Sequence, residues 1–114
     1  MGIMVKDNTA GLATAGTTQT LAGATPIVND VTILTTGTAN DGVLLPQAAP
    51  GQVVVIKNTH ATNAAKAYAP NSGTIDGTAG ATGVALAAAK TTMYVCTGYV
   101  AGGVGSVWVT LYSV

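Results

Sequence analysis

From residue 26 onward, short β-branched runs alternate with clusters of turn residues, the pattern of a protein built from strands. Residues 31–36 (VTILTT) alternate apolar residues with threonine, residues 43–45 (VLL) are stopped by Pro46, and residues 52–57 (QVVVIK) form a nearly continuous apolar run that suits a buried strand. Residues 66–69, 84–88, 91–97 (TTMYVCT) and 106–113 (SVWVTLYS) supply further predicted strands. In the last of these, Val107, Val109 and Leu111 fall on one face while Trp108, Thr110 and Tyr112 fall on the other, so both faces read as partly covered. Ala39-Asn40-Asp41-Gly42 and Asp76-Gly77 supply residues that tolerate positive φ, and Pro50-Gly51 suits the centre of a type II turn. Ala87-Ala88-Ala89 has helical propensity, but so few residues between β-branched runs cannot form a useful helix, and residues 84–88 are read as strand. No window carries an apolar stripe at helical spacing. The pattern predicts an all-β fold, an antiparallel β-sandwich of jelly-roll type over residues 26–114.

Residues 8–26 (NTAGLATAGTTQTLAGATP) differ from the rest. They are mostly Ala, Gly and Thr, with only Leu12 and Leu21 large enough to anchor anything. Such a segment gains too little by burial to offset its ordering entropy alone, while its threonines let it pair as an edge strand on another surface. Residues 1–25 are therefore expected to form an extended N-terminal arm contacting a sister subunit or a larger partner, with Leu12 and Leu21 as its contact residues.

Composition sharpens this expectation. The 114 residues suit one domain, and the hydrophobic 48% is mostly Ala and Val, with no Phe and 4% aromatics. Small side chains bury little area each, so the core is thin, the isolated monomer is marginal and oligomerisation or docking on a partner is expected. Charged residues make up 7%: Lys6, Lys57, Lys66 and Lys90 balance Asp7, Asp30, Asp41 and Asp76. Scattered lysines cannot neutralise a phosphate backbone or hold an anionic membrane, so neither nucleic acid nor membrane is an expected partner. No apolar run is long enough for a signal-peptide core or a membrane span, which predicts synthesis in the cytoplasm without export.

The chemistry-bearing residues form no constellation. His60, the sole imidazole, sits among small polar residues (58–63) that read as a solvated hairpin loop. Ser72, Ser106 and Ser113 lack a Gly-x-Ser-x-Gly elbow and a neighbouring base, and the aspartates fall in or near turns, where Asp caps backbone. Asp76 with Asn71 and Ser72 matches no calcium-loop spacing. Cys96, the only cysteine, allows neither an internal disulfide nor a thiolate zinc site and reads as an inert core thiol. Gly98, Gly102, Gly103 and Gly105 lack the Lys-Ser/Thr and the helix of a phosphate loop, and read as a flexible hairpin loop. The expectation is a protein that is not an enzyme and holds no cofactor or metal.

One set of motifs stands together: Val43-Leu44-Leu45-Pro46, Pro50-Gly51 with the run from Val53 to Asn58, Tyr68-Ala69-Pro70, Gly73-Thr74-Ile75-Asp76-Gly77, and Trp108 in the closing strand. Over about residues 30–112 this order resembles a small β-domain of tailed-bacteriophage virion proteins, found in capsid decoration proteins and in head and tail fibres. The chain departs from that pattern where a longer glycine-rich loop precedes the Trp. The resemblance implies a structural role in a virion. With an N-terminal arm and a chain that closes on its last strand, it favours a capsid decoration (cement) protein on the capsid exterior, with the major capsid protein as partner and a homo-oligomer, a trimer in preference to a dimer, as the expected species. A head-fibre, tail-fibre or baseplate subunit is the alternative. A third reading, a carbohydrate-binding module, would use Trp108 and Tyr112 as a stacking platform, but packing in a core or against a subunit or the capsid accounts better for both.

Overall fold

The computed structural model describes residues 10–12, 20–34 and 42–112, with residues 10–12 and 112 described by their backbone only. Predicted features at residues 35–36 and 39–41 lie outside these. The strands are β1 Ala10–Leu12, β2 Thr25–Pro26, β3 Val31–Leu34, β4 Gly42–Leu44, β5 Val53–Asn58, β6 Ala65–Tyr68, β7 Thr74–Ile75, β8 Thr78–Ala79, β9 Val84–Leu86, β10 Thr91–Tyr99 and β11 Ser106–Tyr112. No helix occurs among the described residues.

They form a seven-stranded sheet of order β1-β3-β5-β10-β11-β7-β8 and a four-stranded sheet of order β2-β4-β6-β9. One core is shared between them: Leu34, Ile56, Ile75, Tyr94, Cys96 and Trp108 from the larger sheet pack with Val43, Ala65, Ala67 and Leu86 from the smaller. The all-β, sandwich-like expectation therefore stands. The expectation of antiparallel pairing throughout is corrected, because both sheets are mixed. Strands β1 and β3, β3 and β5, β2 and β4, β4 and β6, and β7 and β11 pair parallel. The cause is the way the chain deals out its strands. From β2 to β6 each strand joins the opposite sheet from its predecessor. Two strands of one sheet are then separated by a pass through the other, run the same way and pair parallel. Antiparallel pairing returns where consecutive strands stay in one sheet, in the β7–β8 and β10–β11 hairpins, and where β10 and β9 close on β5 and β6.

The turns behave as their residues dictate. Asp76 and Gly77 adopt φ of 49° and 81° between β7 and β8, the paired positive φ of a two-residue hairpin turn. Gly51 lies at φ 95°, and the Gln52 N–H donates to the Ala49 carbonyl at 3.2 Å, closing the expected turn. Strand β9, by contrast, ends at Leu86. Residues 87–89, read as strand up to residue 88, form a turn instead: Ala89 sits at φ 59° and donates its N–H to the His60 carbonyl at 2.9 Å. The chain must cross there from the smaller sheet to the larger, and small alanines permit the reversal.

The described stretches of residues 1–25 lie on the domain rather than away from it. Ala10–Leu12 runs parallel to Val31–Leu34 of the same chain. Ala24 is buried, and Thr25–Pro26 pairs with β4, so the expected boundary between residues 25 and 26 falls inside a strand. An Ala/Gly/Thr segment needs no core of its own to do this; it satisfies the backbone groups that an edge strand such as β3 leaves open.

Candidate functional site

Three of the sequence motifs, at residues 43–45, at residues 74–77 and at Trp108, contribute residues to one core. The Asp76 N–H donates to the Trp108 carbonyl at 2.9 Å, and the Asp76 carboxylate accepts the Thr110 N–H at 3.0 Å together with the Thr110 hydroxyl. The β7–β8 hairpin is thereby fastened to β11 at Trp108 and at Thr110. Ile75, next to the turn, and Leu45, beside Pro46, enter the same core cluster as Trp108. Asp76 thus acts as a backbone clamp, its carboxylate engaged by its own protein.

A second junction lies at the base of the glycine-rich loop. The Ser106 hydroxyl donates to the Ala48 carbonyl at 2.8 Å and accepts the Ala48 N–H at 2.9 Å, fully buried. Gln47 donates its side-chain amide to the Val104 carbonyl and accepts from Asn71 Nδ2 at 3.1 Å. Backbones here approach too closely for any side chain: a Cβ on Gly105 would stand 2.4 Å from the Asn71 carbonyl oxygen. That position is glycine for packing, which the flexible-loop reading had missed. Cys96 is buried, its sulfur 3.6 Å from the Ala48 carbonyl and 3.5 Å from that of Gly98.

The loop after β5 is organised by Asn58, a buried residue that the sequence reading passed over as a turn former. Its amide donates to the carbonyls of Asn63 at 2.9 Å and Leu86 at 3.2 Å, and its oxygen accepts the His60 N–H at 3.1 Å. His60 Nδ1 accepts the N–H groups of Thr62 and Asn63 at 3.1 and 2.9 Å, so the imidazole is a loop acceptor. Because β5 and β6 belong to different sheets, this loop links layers instead of closing a hairpin. The signal available in the sequence was a polar residue closing a β-branched run.

The residues expected to make contacts are scattered. Leu12 ends β1 opposite Leu34, Leu21 is half-buried in a turn before β2, and Tyr112 ends β11 opposite Thr92. Trp108 is a core residue with no exposed surface. It offers no surface to a sugar ring or to a neighbour. Its indole N–H, the Thr92 hydroxyl and the Tyr68 hydroxyl are buried without a hydrogen-bond partner among the described residues. Tyr68 lies outside the core cluster with its ring against Gly42 and Gly83, and burial pushes its phenol above the usual value. Among the described residues, the exposed large apolar side chains are Val28, Tyr99, Val104, Val109 and Leu111.

Among the described residues, no group of three or more His, Cys, Asp or Glu side chains could hold a metal ion, and no helix is long and apolar enough to cross a membrane. No protein-family model matches the chain, and comparisons with curated proteins and with solved structures give no match.

Proposed function

We propose that this chain is a structural virion subunit without catalytic activity, a tailed-phage capsid decoration protein that binds the outside of the major capsid shell and stabilises it. It is made in the host cytoplasm and acts on the capsid exterior of the virion, as a homo-oligomer bound to the assembled shell. The observation that carries this reading is that Leu45, Ile75 and Trp108 share one core while Asp76 of the Gly-x-Ile-Asp-Gly turn is bound to Thr110 beside it. Those are the most specific pieces of the phage-like pattern, and their joint role as scaffold is what a virion module requires. Ser106 Oγ, the Asp76 carboxylate and His60 Nδ1 are each engaged by backbone groups, with a neighbouring threonine hydroxyl also on Asp76. Exposed Val28, Tyr99 and Val104 leave apolar surface for attachment.

The test is sedimentation of the purified chain with expanded shells assembled from the major capsid protein of the same virus. Saturable binding at a fixed copy number, with shells that then withstand higher temperature, is the expected result. A protein that immunogold labelling finds only on the tail overturns the capsid assignment and leaves the fibre or baseplate alternative.

A further inference from the structure

The outer face of the seven-stranded sheet is apolar where a solvated sheet is polar. Register places Val31, Val55, Met93 and Leu111 in one row across β3, β5, β10 and β11, and Val53, Val95 and Val109 in the next. Burial alternates along β5 and β10, so every second residue enters the core and these side chains are left partly exposed on the opposite face. Val109 is 37% exposed and Leu111 56%. No other described strand lies over them, since the four-stranded sheet shares the core on the other side. A sheet with one face in water alternates apolar with polar; apolar residues on both faces are the composition of a sheet covered twice.

We propose that this face is the interface with a second copy of the chain, packed sheet on sheet about a two-fold axis. Shape, charge and area select that occupant. The longer row crosses four strands, roughly 15 Å at about 4.8 Å per strand, and its neighbour adds a second rank. A single extended peptide would cover about one strand spacing of this surface, whereas a like sheet covers all of it. At the outward positions of β3, β5, β10 and β11 the sole ionisable side chain is Lys57, whose ammonium is turned onto the Ala89 carbonyl at 3.4 Å. Two copies can therefore meet without opposing charges of like sign, and a charged partner finds nothing to pair with. A standard interface takes about 800 Å² from each partner, roughly one-seventh of the 5738 Å² that this chain exposes. One side of a two-layer body measuring 37 × 30 × 24 Å has a share of that order. Packing the face against itself makes an isologous, closed contact, with β-branched rows interdigitating at about 10 Å between sheets. It yields a dimer, not the trimer expected with the capsid-decoration reading.

The interface does not rest on the capsid reading, and its test uses the full chain alone. Sedimentation equilibrium at micromolar concentration is expected to give twice the 11.1 kDa of one chain. The double variant Val55→Lys/Val95→Lys, which sets four ammonium groups into the shared face, is expected to sediment as one copy, with dissociation strengthened at least about 100-fold. Leu111→Lys, at a position the single chain already leaves exposed, is expected to weaken association about 10-fold and serves if the double variant fails to fold, as judged by its β-sheet dichroism. A wild-type chain of single-copy or triple-copy mass overturns the proposal, as do folded variants that keep the wild-type mass. A single-copy chain whose variants lose thermal stability also overturns it, and assigns the face to the chain's own N-terminal residues. A monomer that still binds shells rejects this interface and keeps the capsid reading; a dimer that ignores shells does the reverse.

Discussion

Strands β5, β10 and β11 present two apolar faces built on different principles. The inner face mixes sizes and chemistries: Trp108, Tyr94, Ile56 and Val54 fill the space between sheets, while Thr92 and Asn58 bring polar groups into it. The outer face is nearly uniform, with Val53, Val55, Val95 and Val109 around Met93 and Leu111. A core shaped by unlike side chains admits one arrangement, and each buried polar group must be matched or it costs stability. A uniform β-branched face contributes little shape of its own and leaves its energy to whatever covers it. The difference teaches that the apolar fraction of this chain is shared between folding and association.

The largest expected effect lies on the inner face. Trp108→Ala empties the centre of the core and is expected to cost about 3–5 kcal/mol, a large part of the roughly 5–15 kcal/mol of a typical domain. Thermal unfolding followed by dichroism checks it; a variant melting near the wild type would mean that the inner face does not hold the fold. Next comes Asn58→Ala, which strands the carbonyls of Leu86 and Asn63 and the N–H of His60. A loss of about 2–3 kcal/mol is expected, read as a lower urea midpoint with an unchanged slope.

Tyr68→Phe sharpens the rule from the opposite side, because it removes a buried hydroxyl that has no partner among the described residues. Near neutral pH the change is expected to be neutral or stabilising by up to about 1 kcal/mol. Its pH signature has a definite sign. The folded phenol titrates above the unfolded one, so the contribution of the neutral form is intact below about pH 10 and is lost as pH rises through the folded value. Phe removes that component of the alkaline loss, which melting curves on both proteins between neutral and strongly alkaline pH would resolve. The smallest effect belongs to the outer face: Leu111→Thr is expected to change the stability of the dilute single chain by no more than about 0.5 kcal/mol. A loss comparable to that of Trp108→Ala would erase the distinction between the faces.

Much of the site was legible for local reasons. Asp76-Gly77 and Pro50-Gly51 turn where they were expected to, because positive φ and a preset proline φ are properties of the residues themselves. Trp108, offered by the sequence as a contact with a subunit or the capsid as well as a core residue, is wholly buried, while β11 alternates as its sequence indicated. Ser106 and Asn58 were not legible as junctions, since their partners, Ala48 for one and Asn63 and Leu86 for the other, include residues up to 58 positions away. Gly105 read as loop slack because nothing local reveals that the Asn71 carbonyl oxygen occupies the space its Cβ would need.

The sequence by itself determined that this protein is made of strands, where most of them lie, and which residues reverse the chain between them. Period-two alternation and turn chemistry act over a few residues and need no distant partner. Only the tertiary structure decided which sheet each strand joins. A turn specifies reversal and says nothing about the layer that receives the next strand, so a chain expected to fold back within antiparallel sheets instead passes between two layers and pairs β1 with β3, β3 with β5, and β4 with β6 in parallel. The same long-range assembly drew Ala10–Leu12 onto β3, because an open strand edge accepts any backbone that can reach it. It also settled which of the two apolar faces became the core, since both alternate alike and only the facing sheet distinguishes them.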